Sequence, residues 1–163
     1  MANHQDGETD KRILFRAVEL ASEQVRTRRG GPFGAVIVKD GAVIAEGGNE
    51  VTSGNDPTAH AEIVAIRRAC RALGSFSLAG ATIYASCEPC PMCLGAIYWA
   101  RIERLVFANT RAQAAAIGFD DALIYDEIPK AIGERRLATV HLPLAEGEAA
   151  FAAWAGMADK VAY

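Results

Sequence analysis

Long apolar runs are missing from this sequence of 163 residues. A helix that crosses a bilayer needs about 20 consecutive, predominantly apolar residues, so we expect no transmembrane span. The N-terminal stretch, residues 1–11, is polar and acidic and lacks the charged and then apolar order of a secretory signal. Together these absences predict a cytoplasmic protein.

An excess of positive charge is also missing. The sequence has 17 Lys and Arg residues against 20 Asp and Glu residues, a formal net charge of -3 and a pI near 5.6. Proteins that bind long nucleic acids usually carry strongly basic surfaces. The charge balance therefore disfavours long RNA or DNA as a substrate.

Cysteine is scarce, but its placement is informative. Three of the four cysteines, Cys87, Cys90 and Cys93, lie close together in the sequence. In a chain without a secretory signal, such crowding is more typical of metal ligands than of disulfides, which remain the alternative.

The pattern of apolar residues predicts one α/β domain over residues 1–163. About half of the residues, 51%, are hydrophobic, which is enough for a single buried core. The predicted strands are 33–39, 42–46, 81–86, 104–108 and a last short strand at 138–142. The predicted helices are 9–28, 57–74, 90–100, 110–117 and 146–160, the last within a C-terminal helical tail of about 146–163. This alternation predicts a sheet covered by helices.

Short local signals set the expected ends of these elements. Thr9 or Asp10 is available as the N-cap of the first helix, and Asp40-Gly41 is typical of a two-residue hairpin turn. Asp56 precedes Pro57, a residue suited to the first helical position, and Gly74 stands where a C-terminal cap would end that helix. His60 is therefore expected in the first turn of this helix.

The residue types of a metal centre occur in two short motifs, His60-Ala61-Glu62 and Cys90-Pro91-Met92-Cys93. Cys90 and Cys93 are three apart at a helix start, so their sulfurs share one face near backbone N–H groups that favour thiolate. If the two helix N-termini meet at one end of the sheet, His60 completes a Cys2His set for zinc and Glu62 lies beside the fourth coordination position. Three protein ligands with one open position are the pattern of a catalytic zinc.

Cys87 allows a second interpretation. With His60, Cys90 and Cys93 it would make four ligands, which is the pattern of a closed structural zinc without catalysis. A structural site has no use for a carboxylate two residues after its histidine, so Glu62 favours the catalytic interpretation. Metal content in a Cys87 variant distinguishes the two.

Two stretches carry a family resemblance: residues 57–62 (PTAHAE) and 86–97 (SCEPCPMCLGAI) resemble the cytidine deaminase superfamily of zinc enzymes. Residues 97–101 (IYWAR), 118–121 (GFDD), 124–125 (IY) and the tail ending in Tyr163 are similar to bacterial guanine deaminases within it. The resemblance implies a three-layer cytidine-deaminase-like fold with a five-stranded mixed β-sheet flanked by helices. It also implies one Zn2+ per chain at the two helix N-termini, and a homodimer whose C-terminal segments close the active site and can be exchanged between subunits.

The same resemblance implies a reaction, the hydrolysis of guanine to xanthine and ammonia. Zinc-bound hydroxide would be the nucleophile and Glu62 the proton shuttle. Asp121 would lie near the departing amino group. The implied substrate-binding residues are Phe33, Asn49, Ala61, Trp99 and Tyr163.

Four of these roles have a simpler alternative from the residues alone. Asn49 would be a turn residue, Phe33 a core residue, Asp121 a loop cap and Trp99 a buried structural indole. Alternative functions are deamination of transfer-RNA adenosine, cytosine, a nucleoside or a triazine, or a zinc-stabilised binding module without catalysis. His4 and His141 have no partner motif and are assigned no role.

Overall fold

A computed structural model describes the backbone of residues 4–162 and the side chains of residues 7–162. The chain divides into two compact units, which meet in the sequence between Asp121 and Ala122. In the part of the chain that is described, no helix has the length and apolar character needed to cross a membrane.

The first unit contains a sheet with helices on both faces. Its elements in chain order are α1 (His4–Thr27), β1 (Gly34–Lys39), β2 (Ala42–Gly48), α2 (Val51–Gly54), α3 (Ala61–Leu73), β3 (Thr82–Cys87), α4 (Pro91–Trp99), β4 (Arg104–Asn109) and α5 (Arg111–Ala116). The second unit contains α6 (Ala122–Glu127), a 3-10 turn (Ile132–Glu134) and α7 (Ala145–Gly156).

The sheet is mixed and has the strand order β2-β1-β3-β4. β1 pairs with β2 and β3 in antiparallel fashion, whereas β3 and β4 run parallel. Because side chains alternate along a strand, Ile37 and Ile83 pack in one core with α3 and α4, while Val36 and Tyr84 pack in a second core with α1. The result is the predicted order of helix, sheet and helix layers.

The prediction of a fifth strand at 138–142 is wrong: the sheet over the described residues has four strands. The segment has no regular secondary structure, and Val140 and Leu142 are 78% and 77% exposed. Its alternating apolar residues are typical of a strand, but a strand forms only where a neighbouring backbone supplies hydrogen bonds. Alternation of apolar residues alone therefore predicts a strand at 138–142 that does not form.

Two predicted helix starts are also wrong. The first helix begins at His4 rather than near Thr9, since the polar residues before Thr9 include no proline and the helix continues through Gly7. The helix predicted to open at Pro57 begins at Ala61 instead. There the Asp56 carboxylate accepts hydrogen bonds from the Thr58 N–H (2.8 Å) and hydroxyl (2.6 Å). This turn holds the chain out of the helix for four more residues.

Gly47 on β2 lets helix α3 approach the sheet closely. A Cβ at position 47 would lie 2.4 Å from the Ala61 carbonyl oxygen and 2.6 Å from the Ala65 nitrogen, both of them backbone atoms. A rigid helix cannot yield locally as a side chain would. The absence of a side chain at Gly47 therefore helps to set the position of α3, whose first turn carries part of the site described below.

We expect Gly47→Ala to lower the free energy of unfolding by about 1–3 kcal/mol, because the added methyl group displaces α3 from the sheet. Urea denaturation followed by circular dichroism measures this change. Gly54→Ala is the matched control, since a Cβ there meets no atom within 4 Å, and should change stability by less than about 0.5 kcal/mol. Equal stabilities of the two variants would contradict the close approach.

Candidate active site

His60 is the N-cap of α3, with an extended backbone (φ -65°, ψ 157°), and Glu62 follows in the first helical turn. Within a regular helix, two residues this close in sequence would point to nearly opposite sides. Because His60 lies just outside the helix, its imidazole and the Glu62 carboxylate can serve one site. The start of α3 at Ala61 rather than at Pro57 therefore allows His60 and Glu62 to act in the same site.

Cys90 occupies the position on α4 that His60 occupies on α3, immediately before the first residue of the helix. It is the N-cap, with an extended backbone (φ -65°, ψ 168°), Pro91 follows in the first turn, and Cys93 is buried. Proline at this position costs no hydrogen bond, because the first N–H groups of a helix have no intrahelical acceptor. The helix start thus presents two sulfurs beside free N–H groups.

The two helix starts meet, as the sequence predicts. His60 Nδ1 lies 3.6 Å from Cys90 Sγ and 3.5 Å from Cys93 Sγ, and the three ligand atoms lie within 4.8 Å of one another. Zinc bonds of about 2.3 Å to sulfur and about 2.0 Å to nitrogen place tetrahedral ligand atoms roughly 3.3–3.8 Å apart. The three side chains therefore fit Zn2+ in both chemistry and spacing.

The charge on the sulfurs also suits a cation. Hydrogen bonds from Cys93 and His60 lower the pKa of Cys90 to about 4. The bond to Cys90, together with burial, raises the pKa of Cys93. The bond to Cys90 likewise raises the pKa of His60. Zinc binds cysteine as thiolate, so the lowered pKa of Cys90 suits a metal ligand, and the proton of Cys93 has to be displaced when zinc binds.

Cys87 is not one of the clustered ligands: over the described residues, the group that can hold a metal comprises His60, Cys90 and Cys93. The Cys87 thiol donates instead to the Thr110 carbonyl oxygen at 3.7 Å. Burial raises its pKa to about 11, so it stays a neutral thiol at physiological pH. This geometry favours the three-ligand catalytic interpretation over the four-ligand structural one.

Glu62 is a buried carboxyl group beside the cluster. Only 7% of the residue is exposed, and Oε2 lies 3.5 Å from Cys93 Sγ. Burial is the main cause that raises the pKa of Glu62. A carboxyl group with a raised pKa can both accept and return a proton near neutral pH, as a general acid–base group must.

Asn49 lies at the end of β2 and is buried, with 5% exposed. Its Oδ1 accepts from the N–H groups of Gly31 and Val51, both at 3.3 Å. With the oxygen held by backbone donors, the amide nitrogen is the end of the side chain that can donate to a ligand. The Oδ1 bond to Val51, two residues later, fits the simpler interpretation of Asn49 as a turn residue, and its burial leaves the amide nitrogen available to a ligand.

Phe33 is half-buried and packs against the core shared with α3 and α4. Its ring also meets that of Phe119 edge to face, with the ring centroids 4.9 Å apart. Sequence reasoning missed Phe119, although an aromatic residue two positions before Asp121 was a usable signal. The pair offers an apolar edge on which a flat base can rest.

The remaining predicted residues lie in different settings. Ala61 is the buried first residue of α3, where a backbone N–H has no intrahelical acceptor. Asp121 is half-buried, and burial raises its pKa, with the Cys90 charge as the next cause. Trp99 is 64% exposed, so the alternative of a buried indole is wrong. Tyr163 lies outside the described residues.

Residues 7–109 match the family described as the cytidine and deoxycytidylate deaminase zinc-binding region. The chain belongs to this family. The zinc cofactor predicted from the sequence is thereby confirmed, since the family motif and the His60, Cys90 and Cys93 cluster agree. The deaminase fold is confirmed as well, with a mixed sheet of four strands rather than five.

Relatives of this deaminase domain differ in how much of the chain they cover. Guanine deaminase of Bacillus subtilis is 55% identical over 151 residues, which are 93% of this chain and 97% of the relative. Its X-ray structure superimposes with a TM-score of 0.90 at 53% identity, and covers 99% of both chains. The transfer-RNA-specific adenosine deaminase of Agrobacterium fabrum is 48% identical but covers only 61% of this chain and 68% of its own.

A third relative is more distant. The solved structure of guanine deaminase from Nitrosomonas europaea is 34% identical, has a TM-score of 0.63, and covers 67% of this chain and 63% of its own.

Proposed function

We propose that this protein hydrolyses guanine to xanthine and ammonia. The observation that carries the proposal is full-length similarity: the Bacillus subtilis guanine deaminase matches both the zinc motifs and the residues after β4. The transfer-RNA deaminase of Agrobacterium fabrum shares the site region but leaves about two fifths of this chain unmatched. The acidic charge balance also disfavours a polyanionic substrate.

The reaction replaces the 2-amino group of guanine by oxygen from water: a C–O bond forms, the C–N bond breaks, and ammonia leaves. Zinc held by His60, Cys90 and Cys93 would lower the pKa of a bound water to about 7. Glu62 would accept a proton from the attacking water and pass it to a ring nitrogen. It would then take the proton of the new hydroxyl group on the ring carbon and deliver it to the departing amine. Its burial beside Cys93 keeps this proton away from bulk solvent.

We assign the remaining predicted residues to the base. Asn49 would donate from its amide nitrogen to a ring acceptor, and the N–H of Ala61 would donate from the start of α3. Phe33 would contact the flat face of the ring. Trp99, assigned to the base by the family resemblance, lies at the end of α4 away from Cys90, so it would contribute only an outer wall of the pocket. Asp121, whose pKa is raised by burial, would lie near the departing amino group.

Four further proposals concern the chain as a whole. Residues 1–163 would act as one deaminase domain with a C-terminal tail. Two copies of the chain would form a homodimer. The protein would be cytoplasmic. The tail, with Tyr163, would close the site and can be exchanged between subunits. Light scattering after gel filtration tests the dimer, and a monomer would refute it.

A substrate panel tests the function. Purified zinc-loaded protein is given guanine, guanosine, cytosine, adenosine, a triazine and transfer RNA, and ammonia release is measured. We expect turnover of guanine and at least about a hundredfold lower rates on the nucleosides and transfer RNA, because a buried site built to contact a free base rejects mismatched groups strongly. Preferred turnover of adenosine in transfer RNA would replace the proposal, and a folded zinc protein inactive on the whole panel would favour a binding module.

A further inference from the structure

A buried serine holds the end of β1 in place. The antiparallel pairing of β1 with β3 runs as far as Ala35 and Ala85. One residue beyond, the Gly34 N–H donates to the side-chain oxygen of Ser86 at 3.0 Å. Ser86 is only 1% exposed, so this hydrogen bond lies in the protein interior.

The Gly34 N–H has little access to water as an alternative acceptor. An added Cβ at Gly34 would lie 2.2 Å from the Ala17 carbonyl oxygen and 2.7 Å from the Leu20 Cβ, so β1 lies directly against α1 here. A buried N–H without an acceptor is costly. The Ser86 hydroxyl supplies the missing acceptor, but only when Gly34 lies in its observed position. The hydrogen bond therefore holds the backbone at Gly34 in that position.

This backbone carries two of the proposed contacts to the base. Gly34 follows Phe33 directly, and the Phe33 carbonyl oxygen accepts from the Asn49 N–H at 3.1 Å. On the neighbouring strand, Gly34 is paired with Gly48, the residue before Asn49. A shift of Gly34 would thus move Phe33 and Asn49 together.

We infer that Ser86 is a positioning residue for the substrate base: through Gly34 it sets the places of Phe33 and Asn49. This inference rests on the proposed function, in which Phe33 and Asn49 are two of the residues that contact the base. Ser86 itself does not belong to the ligand cluster and acts through the backbone of its neighbour. Its effect is therefore expected on binding of the base rather than on the proton transfers of Glu62.

The test compares steady-state constants of Ser86→Ala and Ser86→Thr. We expect Ser86→Ala to raise KM for guanine about tenfold, the effect of one lost buried hydrogen-bond partner, with kcat within about twofold and zinc content unchanged. Ser86→Thr keeps the side-chain oxygen and should restore KM.

Ser75→Ala is the matched control. The Ser75 hydroxyl accepts from the Ser77 N–H, also at 3.0 Å, in the loop between α3 and β3, so its loss should leave KM unchanged. Hydrogen exchange gives a readout independent of substrate: the Gly34 amide should exchange faster in Ser86→Ala and normally in Ser86→Thr. If Ser86→Ala does not fold, Ser86→Cys, with a weaker acceptor of similar volume, takes its place and should raise KM less.

Two results would overturn the inference. The first is an unchanged KM in Ser86→Ala although the Gly34 amide exchanges faster. The second is a loss of kcat and zinc that Ser86→Thr does not restore, which indicates a structural role only. If the wild-type protein does not turn over guanine, the proposed function is refuted, but the inference about Ser86 is not. The same KM comparison is then made with whichever substrate of the panel the wild-type protein does turn over.

Discussion

Glu62→Gln is expected to retain zinc and fold and to lose deamination by well over the factor of about 10² to 10⁴ that is typical of one acid–base group. The expectation exceeds this range because Glu62 would serve the attack of water, the protonation of the ring and the departure of ammonia. Glutamine has nearly the same shape and is uncharged, but it can neither accept nor release a proton at neutral pH.

Single-turnover rates with guanine, measured beside elemental analysis of zinc, check this prediction. Glu103→Gln is the matched control, since Glu103 accepts a hydrogen bond from the Gly80 N–H at 2.9 Å, and an amide oxygen can do the same. Glu103 immediately precedes Arg104, and Arg104 pairs with Thr82 at the end of β3 opposite to Cys87. A rate of Glu62→Gln close to that of the control would refute the role of Glu62.

Cys90→Ala and Cys93→Ala are each expected to abolish zinc binding, whereas Cys87→Ala should keep about one zinc per chain and near-normal activity. Removal of one of three protein ligands leaves a two-ligand site, which is too weak to hold catalytic zinc. Cys87 is not required, because its thiol bonds to the Thr110 carbonyl oxygen and is kept neutral by burial.

Metal content after dialysis, with the partly buried Cys70 exchanged for alanine as a control, measures these effects. Loss of zinc in Cys87→Ala, with the metal retained in Cys70→Ala, would restore the four-ligand structural interpretation. Retention of zinc in Cys90→Ala would contradict the three-ligand set itself.

Local signals in the sequence predicted the parts of the fold that depend on single residues. Asp40 and Gly41 both have positive φ (51° and 76°), as a two-residue hairpin turn between right-twisted strands requires. Gly74 ends α3 in the left-handed conformation (φ 60°), as the C-cap prediction stated. These signals work because they act over a few residues and do not need a partner elsewhere in the chain.

Predictions that needed a distant partner were less successful. The segment 138–142 has the alternation of a strand, but the sequence could not show whether an edge would be available to pair with it. Two signals competed at the start of α3. Pro57 suits a first helical turn, but the hydrogen bonds of the Asp56 carboxylate to Thr58 form a turn there, and the helix begins only at Ala61. Both outcomes follow from hydrogen bonds whose geometry a sequence pattern does not specify.

The sequence by itself determined which residues could carry the chemistry of this protein. One histidine and two cysteines three residues apart predict the metal ligands, and a carboxylate two residues after the histidine is the proposed proton carrier. Only the tertiary structure decided the exclusion of Cys87 from the ligand cluster, the exposure of Trp99, and the hydrogen bond between Gly34 and Ser86. The physical reason is that metal ligands are chosen by atom type, which the sequence states directly. The hydrogen-bond partner and the burial of a side chain depend instead on which segments of the chain lie next to each other. Those neighbours are determined only when α1 and α3 pack on the sheet.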